Sequence, residues 1–401
     1  LDGSIITIHL LIALVIISTE NENDTMKFGL FYEWPNPKVR DWKTLFEEGM
    51  EQIQYSEEMG FDYCLVAEHH FSNYGNSPAP LLQAMAIAER TKRIKIATAV
   101  LVLPIWNPLR LAEEVAVLDN LTNGRFICGI GRGFQPHELA RFDVTLEGSR
   151  QQFLESLDVM VKAWTQDESF TYDGEYIKVP NETVVWPKPL THPYPPLWVA
   201  GTSVETMQLA AKWDMMPITT SLLGAGGVRS HLTSLVQALK AEGKDYHRPQ
   251  LGLQSITQVA PTDAEALKEL EHARWQIRAG RALNRLEVHN GRVSAGPFEG
   301  ELDEKGLQES LFFGNPDTVV KKFQQAAALG VTHVSNWMMF GDISHNKIMR
   351  SIKHMGEEVI PAMKDVEPPM ELYDELVNAP AVTSAELQAA RFRGPSPSDV
   401  T

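Results

Sequence analysis

Cysteine is scarce in this sequence, and so is positive charge. The 401 residues include two cysteines, Cys64 and Cys128, and neither belongs to a C-x-x-C pair, which excludes a disulfide framework and a cysteine-based metal site. Both thiols lie in apolar runs, which favours reduced core thiols in a cytoplasmic protein. Lysine and arginine number 36 against 52 acidic residues, and the net charge of −16 argues against a nucleic-acid partner.

Long apolar segments are also lacking. The run at residues 5–17 is shorter than the about 20 residues that span a bilayer, and it has neither the basic flank nor the cleavage site of a signal peptide. Met26-Lys27-Phe28 resembles a start followed at once by a strand. We therefore expect residues 1–25 to be an extension outside the fold, with a membrane anchor as the alternative. Residues 26–365 are expected to form one domain, and the polar, proline-rich residues 366–401 a disordered tail.

Between residues 26 and 361, short apolar runs alternate with segments of helical periodicity. The predicted strands cover residues 28–31, 63–67, 94–103, 126–130, 197–200, 216–219, 251–259 and 331–339. Most of these runs are almost continuously apolar, as strands buried on both faces should be. About eight strand–helix units without consecutive hairpins predict an α/β fold, a closed (β/α)8 TIM barrel.

The main alternative to the barrel is an open, doubly wound sheet. Such a fold usually carries G-x-G-x-x-G after its first strand, whereas here the first strand leads into Glu33-Trp34-Pro35. The glycine cluster at residues 129–133 follows the fourth strand and has Phe134 in place of the third glycine. The barrel is therefore preferred.

Two insertions interrupt the alternation, one after strand 4 and one after strand 7. Residues 170–196 begin with a hairpin-like segment around Gly174. Residues 262–314 follow the seventh strand, so in a barrel they overhang the catalytic face and are a candidate lid. The second insertion also carries four arginines on one helix face, Arg274, Arg278, Arg281 and Arg285. Such an arginine stripe is typical of a solvated helix face, and the alternative is that it closes over an anionic cofactor.

Catalytic residues of barrel enzymes lie where the strands end. The second strand ends at Glu68, His69 and His70. Because neighbouring strand residues point to opposite sides, either Glu68 and His70 face the barrel mouth together or His69 faces it alone. A histidine oriented by a carboxylate here predicts a general base near neutral pH, with a buried structural histidine as the alternative. The pair has no H-E-x-x-H spacing, so no metal is expected.

Three separate loops at the same end of the barrel predict a site for a phosphorylated ligand. Arg132 follows the fourth strand, Arg150 opens the next helix, and Gly201-Thr202-Ser203 follows the fifth strand with Thr206 three residues further on. Arginines, hydroxyls and helix N-termini are typical phosphate ligands. Each of these pieces alone is more often a simple helix cap, and the prediction depends on their coming together.

Small side chains in the third strand indicate a flat ligand. Ala97, Thr98 and Ala99 leave room for a ring against the backbone, although ordinary packing inside a narrow barrel explains them equally well. Five large aromatic side chains are candidates for an apolar substrate pocket or for the core; they are Trp106, Phe134, Trp275, Trp337 and Phe340.

Together these motifs resemble the luciferase-like monooxygenase family, and most closely the bacterial luciferase alpha chains, from about residue 26 to residue 364. The resemblance is carried by Met26-Lys27-Phe28-Gly29, Glu68-His69-His70-Phe71, Thr98-Ala99 through Leu103-Pro104, Leu118-Asp119, Gly124-Arg125-Phe126, Gly131-Arg132-Gly133 and Ser149-Arg150. It implies that His69 is the catalytic base beside a flavin, flanked by Glu68 and His70.

The same resemblance implies how the flavin is held. Ala99–Val100 would be a non-proline cis peptide against which the isoalloxazine ring lies. The implied cofactor-binding residues are Ala99, Val100, Gly131, Arg132, Arg150, Ala200, Gly201, Thr202, Ser203 and Thr206. Two positions depart from luciferase and argue against light emission: Gly131 replaces a reactive cysteine, and Ser221 replaces a tryptophan that contacts the ring.

The activity implied by the resemblance is that of a two-component flavin-dependent monooxygenase. Reduced FMN would react with O2 to give a C4a-hydroperoxyflavin, which would oxygenate an aldehyde, a ketone or another apolar small molecule. Because no NAD(P) fingerprint is visible, a separate flavin reductase is expected to supply the reduced FMN. The oxygenase itself is expected to be a homodimer. The alternatives are an F420-dependent oxidoreductase on the same fold and a flavin-binding barrel without catalysis.

Overall fold

The computed structural model describes residues 25–384, 386 and 387. Nearly all of the expected N-terminal extension, residues 1–24, lies outside the described residues, as does the end of the expected tail. No helix in the described part of the chain is long and apolar enough to cross a membrane.

Eight parallel strands form a closed barrel. Each strand pairs with the next in the chain, and the last pairs with the first, so that Lys27 lies opposite His333. The strands are β1 (Lys27–Tyr32), β2 (Tyr63–Val66), β3 (Lys95–Thr98), β4 (Phe126–Gly131), β5 (Leu197–Ala200), β6 (Met216–Thr220), β7 (Gly252–Val259) and β8 (His333–Trp337). The predicted (β/α)8 TIM barrel is confirmed, because the near-continuous apolar runs are buried on both faces.

The third strand differs from its prediction. The sequence predicted one strand over residues 94–103, whereas β3 ends at Thr98 and the chain resumes as a short strand at Leu101–Val102, which pairs with Ile130 and Gly131 of β4. Between the two pieces lies a cis Ala99–Val100 peptide bond, at the position where the family resemblance implied one. The apolar run is continuous across this break, so hydrophobic periodicity could not locate it.

Helices on the outside of the barrel follow the strands. They are α1 (Trp42–Glu58), α2 (Pro80–Arg90), α3 (Pro108–Leu121), α4 (Ser149–Thr165), α5 (Val204–Trp213), α6 (Gly224–Ala241), α7 (Leu270–Asn284), α8 (Pro316–Ala328), α9 (His345–His354) and α10 (Glu371–Val377). Side-chain caps begin several of them: Asp41 accepts the Thr44 N–H at α1, and Asn107 accepts two N–H groups at α3. Their apolar faces pack against the barrel wall and form the main core.

The first insertion lies within residues 170–196, as predicted. The hairpin of strands Phe170–Asp173 and Lys178–Thr183 follows α4 and precedes β5, so it belongs to the connection that returns to the barrel. The carboxylate of Glu155 in α4 holds its tip by accepting the N–H groups of Glu175, Tyr176 and Ile177, each at 2.8 Å. The segment that directly follows β4 is shorter and contains a helix at Pro136–Leu139.

The second insertion lies between β7 and α8, as expected. It contains a short helix at Asp263–Leu267, then α7, a small hairpin (Val288–His289 with Arg292–Val293), a helix at Glu304–Ser310 and a strand at Phe312–Gly314 that extends along β7. The arginine stripe is largely satisfied inside the insertion: Arg278 pairs with Glu301 at 2.6 Å and Arg281 lies over the ring of Phe298. Arg274 and Arg278 therefore form ion pairs within the insertion, whereas Arg285 is exposed.

The C-terminal segment also differs from the sequence expectation. Residues 366–401 were expected to be disordered, but α10 packs against α6, and Gln237 of α6 donates a hydrogen bond to the carbonyl of Ala379 at 2.8 Å. Apolar side chains at Leu372, Tyr373, Leu376 and Val377 form one buried stripe, which is the physical reason for this helix.

Candidate active site

The end of β2 separates its three polar residues as strand alternation requires. The imidazole of His70 meets the Glu68 carboxylate, with 3.2 Å between Nε2 and Oε1. The His69 ring lies between two other carboxylates, those of Glu33 and Glu138. Glu68 and His70 therefore form one cluster and His69 forms another.

Glu68 is buried and acts as an anchor for the chain beyond the β3 break. Its Oε2 accepts the N–H of Val102 at 2.7 Å, and its two oxygens accept the indole N–H of Trp106 at 2.9 and 3.1 Å. With His70 added, these donors fill the hydrogen-bonding capacity of the carboxylate. The structure thus gives Glu68 a supporting position behind the segment of residues 99–102.

His69 is held at both ring nitrogens. Nδ1 lies 3.0 Å from Oε1 of Glu138, and Nε2 lies 3.4 Å from Oε2 of Glu33. Burial disfavours the imidazolium, but the charge and hydrogen bonds of Glu138 and Glu33 outweigh it and raise the pKa of His69 to about 10. At neutral pH these neighbours favour a protonated His69, whereas a general base must be neutral before it can take up a proton.

Glu33 was not singled out from the sequence as a site residue. It follows β1 directly and its side chain is 1% exposed. The Gln276 side chain of α7 donates a hydrogen bond to Glu33, and the Tyr74 hydroxyl is a further partner. Burial raises the pKa of Glu33 to about 6, and its bonds to His69 and Tyr74 oppose this rise. The sequence feature that could have identified Glu33 is an acidic residue at the end of a barrel strand.

Glu138 is the second missed carboxylate, and it comes from the short helix after β4. Burial alone would favour its neutral form, but the charge and hydrogen bond of His69 and the N–H of His70 lower its pKa overall. The distance from His70 N to Glu138 Oε1 is 3.0 Å. Only the fold brings this carboxylate to the end of β2, because the two lie about seventy residues apart in the chain.

The predicted phosphate residues come together on the loops after β4 and β5. Arg132 is exposed, and burial followed by the charge of nearby Arg150 lowers its pKa. In the described part of the chain no carboxylate forms an ion pair with Arg132, and Arg150 lies only at 4.0 Å from Glu205. Few carboxylates neutralise the charges of these two arginines, which lie beside the start of α5. The pair therefore favours an anionic ligand.

The start of α5 supplies the hydroxyls and amides of this cluster. Ser203 caps the helix, with its Oγ 3.2 Å from the Thr206 N–H and 3.0 Å from Thr206 Oγ1. A Cβ at Gly201 would lie 2.6 Å from Thr206 Oγ1, so glycine permits this close turn. Thr202 Oγ1 is buried and has no hydrogen-bond partner among the residues described, which leaves it free for a ligand.

The backbone beside this cluster has a flat, narrow surface. Ala99 and Val100 are partly exposed at the cis peptide, and a Cβ at Gly131 would lie 2.4 Å from Val100 Cγ2. Ala200, at the end of β5, is exposed on the way to the phosphate cluster. Ser221 lies further along, and its hydroxyl donates to Ser255 at 3.0 Å. The implied ring-binding and phosphate-binding residues thus belong to the ends of neighbouring strands.

The five candidate aromatic residues separate into different roles. Phe340 is fully buried against Phe313 and belongs to the core, whereas Trp337 is partly buried and packs edge-on against Phe31 inside the barrel. Trp106 is held by Glu68, and Trp275 packs with the cluster of α7. Phe134 is 57% exposed beside Arg132. The sequence could not make this separation, because it depends on contacts between segments that are distant in the chain.

The residues present fit a phosphorylated flavin. The arginines, the start of α5 and the unpartnered Thr202 hydroxyl match a phosphate group. Glycine at position 131 lets the Val100 side chain pack closely against β4 beside the cis peptide. A buried histidine between carboxylates stands at the same end of the barrel.

Similarity to known proteins agrees with this geometry. The chain is 26% identical over 356 residues to the oxygenase component of flavin-dependent trigonelline monooxygenase from Acinetobacter baylyi, covering 85% of this chain and 96% of the relative. It is 30% identical over 234 residues to an alkanal monooxygenase alpha chain from the Kryptophanaron alfredi symbiont, covering 58% of this chain and 65% of the relative.

Solved structures share the fold. The oxygenating constituent of 3,6-diketocamphane monooxygenase from Pseudomonas putida, in complex with FMN, matches with a TM-score of 0.70 at 22% identity, covering 86% of this chain and all of that one. An F420-dependent secondary alcohol dehydrogenase matches with a TM-score of 0.68 at 19% identity, covering 85% of this chain and all of that one. The profile of the luciferase-like monooxygenase family matches residues 26–333. The chain belongs to the luciferase-like monooxygenase family.

Proposed function

We propose that this chain is the oxygenase component of a two-component monooxygenase that uses reduced FMN and O2 to oxygenate an aldehyde, a ketone or another apolar small molecule. The observation that carries the proposal is the pairing of a basic phosphate cluster with the buried His69 at one end of the barrel. The similarity to an oxygenase component supports it. Because the sequence has no dinucleotide fingerprint, a separate reductase would supply the reduced flavin.

Binding of FMN is assigned to residues of three strand ends. Arg132, Arg150 and the first turn of α5 would hold the phosphate, and residues 99–100 with Gly131 would lie against the ring. When bound, the reduced flavin supplies the electrons that activate oxygen. The protein would contribute orientation, since rigid strand ends hold these groups better than free loops would.

The carboxylates around His69 favour a proton that stays on its imidazole ring. Its Nδ1 is fixed by Glu138, and its Nε2 lies at the longer distance of 3.4 Å from Glu33, so the second contact is the easier one to exchange for a ligand. The second insertion packs against this region through Gln276, which contacts Glu33 and leaves the His69 side chain 13% exposed.

An apolar substrate is supported by the aromatic side chains beside His70. The Phe142 ring lies 4.9 Å from His70 and 5.4 Å from Phe71, centroid to centroid. Phe71 is 49% exposed, so part of this aromatic surface is open to a ligand. Exposed aromatic faces next to polar site residues favour apolar molecules that carry one polar group.

Titration of the protein with FMN and riboflavin tests the phosphate assignment. Arg132→Ala should weaken FMN binding roughly 10- to 100-fold and leave riboflavin nearly unchanged, because hydrogen bonds to a charged group contribute about 1.5–3 kcal/mol. Arg110→Ala is the matched control, because Arg110 is exposed on α3 and pairs with Glu114. Equal losses for FMN and riboflavin would show that Arg132 does not bind the phosphate.

Oxygen uptake tests the activity itself. With chemically reduced FMN and a panel of aldehydes and ketones, the full chain should consume O2 and yield an oxygenated product. An F420-dependent oxidoreductase, supported at the level of fold by one structural neighbour, would instead bind F420 and oxidise or reduce its substrate without O2. A chain that bound flavin but left every substrate unchanged would be a binding protein, and the proposal would fail.

A further inference from the structure

The two nitrogens of His69 face two carboxylates, and this restricts its protonation. A neutral imidazole has one N–H, so one of its nitrogens would turn a lone pair towards a carboxylate oxygen. Here Nδ1 lies 3.0 Å from Glu138 and Nε2 lies 3.4 Å from Glu33. The arrangement is satisfied when both nitrogens carry protons, or when Glu33 itself is protonated.

Gln276 of α7 favours the first of these two possibilities. Its Oε1 accepts the backbone N–H of Gly341 at 2.8 Å, and this contact fixes which way the amide points. Its Nε2 therefore faces Glu33 as a donor. Gln276 donates to Oε1 of Glu33, whereas His69 Nε2 faces Oε2. Because a hydrogen bond donated to a carboxylate is stronger than one donated to a neutral carboxylic acid, this contact favours the ionised form of Glu33.

We propose that Glu33 is a positioning residue for His69: with Glu138 it keeps both imidazole nitrogens protonated, so that His69 meets a ligand as a hydrogen-bond donor. Gln276 holds Glu33 in its accepting state from the second insertion. The protonation argument depends only on these contacts, whereas its meaning for oxygenation rests on the proposed function.

The other groups around His69 are consistent with this assignment. The groups that face it are Glu33 from the end of β1, Glu138 from the segment after β4, and Tyr74, whose ring packs edge-on at 4.8 Å. No lysine or arginine forms an ion pair with either carboxylate in the described part of the chain. The two carboxylates raise the pKa of His69 to about 10 despite its burial.

The position of the second insertion therefore affects the charge of His69. Gln276 spans from Glu33 to Gly341, so it ties α7 to the ends of β1 and β8 at once. Movement of α7 away from the barrel would remove one donor from Glu33 and admit water beside His69. The proton on His69 would then respond to whether the insertion is docked.

Nitrogen-15 NMR of the full-length apoprotein tests the proposal. The protein is labelled at histidine, and His69→Asn identifies the resonances of His69 by their loss. In the parent, both ring nitrogens of His69 should show the shifts of imidazolium at neutral pH, with no flavin present. Glu33→Gln should lower the pH midpoint of His69 by about one unit or more, a tenfold change in proton affinity.

Variants of the insertion provide a second, independent measurement. Gln276→Leu should shift the His69 midpoint in the same direction as Glu33→Gln, since a neutral Glu33 becomes easier to form without its donor. Gln325→Leu, on the exposed face of α8, is the matched control and should leave the midpoint unchanged. If Glu33→Gln does not fold, as judged by circular dichroism, the parent spectrum and Gln276→Leu decide the question.

Two outcomes would overturn the assignment. One is a neutral His69 in the parent at neutral pH, and the other is an unchanged midpoint when Glu33 or Gln276 is replaced in a folded protein. A failure of the proposed function, seen as no FMN binding or no oxygen uptake, would leave these apoprotein spectra as they are. The two failures are therefore distinguishable.

Discussion

Replacement of Glu68 tests how the end of β2 supports the segment of residues 99–102. The carboxylate accepts the Val102 N–H at 2.7 Å and the Trp106 indole N–H at 2.9 Å. In Glu68→Ala both donors lose their acceptor; the Val102 N–H is buried and the Trp106 indole is partly buried, and a buried donor left unsatisfied costs about 1–3 kcal/mol. The two together predict a loss of roughly 2–5 kcal/mol in the free energy of unfolding.

Glu68→Gln gives an intermediate case. Its carbonyl oxygen can still accept one of the two donors, so the loss should be about 1–2 kcal/mol. Urea unfolding followed by tryptophan fluorescence measures both variants, and a shift of the midpoint at constant slope identifies a change in stability. Glu114→Ala, an exposed partner of Arg110, is the control and should stay within about 0.5 kcal/mol of the parent.

Ligand binding by Glu68→Gln separates a supporting role from a phosphate contact. Because Val102 follows the residues assigned to the flavin ring, disturbance there should weaken FMN and riboflavin to the same extent. Arg132→Ala should affect FMN alone. A Glu68→Ala protein as stable as the parent, or a Glu68→Gln protein with a selective loss of FMN binding, would refute this reasoning.

Two further predictions concern buried histidines. The Nδ1 atom of His231 lies 2.6 Å from the Thr219 hydroxyl, and its Nε2 lies 3.2 Å from the carbonyl of Thr202. His231→Ala should therefore loosen the loop that carries Thr202 and weaken FMN binding about tenfold, a cost of about 1.4 kcal/mol. A fluorescence titration measures this, and an unchanged affinity would contradict it. The pKa of His69 is raised to about 10 in the folded protein. Its contribution to stability is therefore full below about pH 6.5, the value for an unfolded chain, and is lost as the pH rises through about 10. Urea unfolding across this range should show a decline that is smaller in His69→Asn, and equal slopes in both proteins would count against it.

The fold was largely predictable from the sequence because its signal is local. Each barrel strand is a short apolar run, and burial of both faces requires that pattern wherever the strand occurs. The break after Thr98 was invisible to the pattern, since Ala99 to Val102 are as apolar as the strand itself. The helix at Glu371–Val377 was readable from its stripe of apolar residues, but the prolines at 368 and 369 and the polar surroundings obscured it.

The site was predictable only where its residues are adjacent in the chain. His69 and His70 stand together at a strand end, and the arginine and hydroxyl motifs each mark a loop. Glu33 follows β1, which pairs with β2, and Glu138 lies on the helix after β4, so their proximity to His69 depends on the pairing of strands and on the path of that segment. The partner of Arg278 lies 23 residues away at Glu301, so the stripe alone could not reveal an internal ion pair.

The site divides into two halves with opposite charge and opposite exposure. Arg132 and Arg150 are exposed and create a local positive field on a protein of net charge −16, whereas the carboxylates around His69 are buried. Exposed cations attract and hold an anionic group without much desolvation, and buried carboxylates control a proton because water cannot screen them. Substitutions in the first half should therefore change affinity for the phosphate and leave the titration of His69 unchanged. Substitutions in the second half should change that titration and leave the preference for FMN over riboflavin unchanged. Arg132 and Glu138 both lie in the segment after β4, but one is exposed and the other is buried, so the protein can vary ligand affinity and proton chemistry independently.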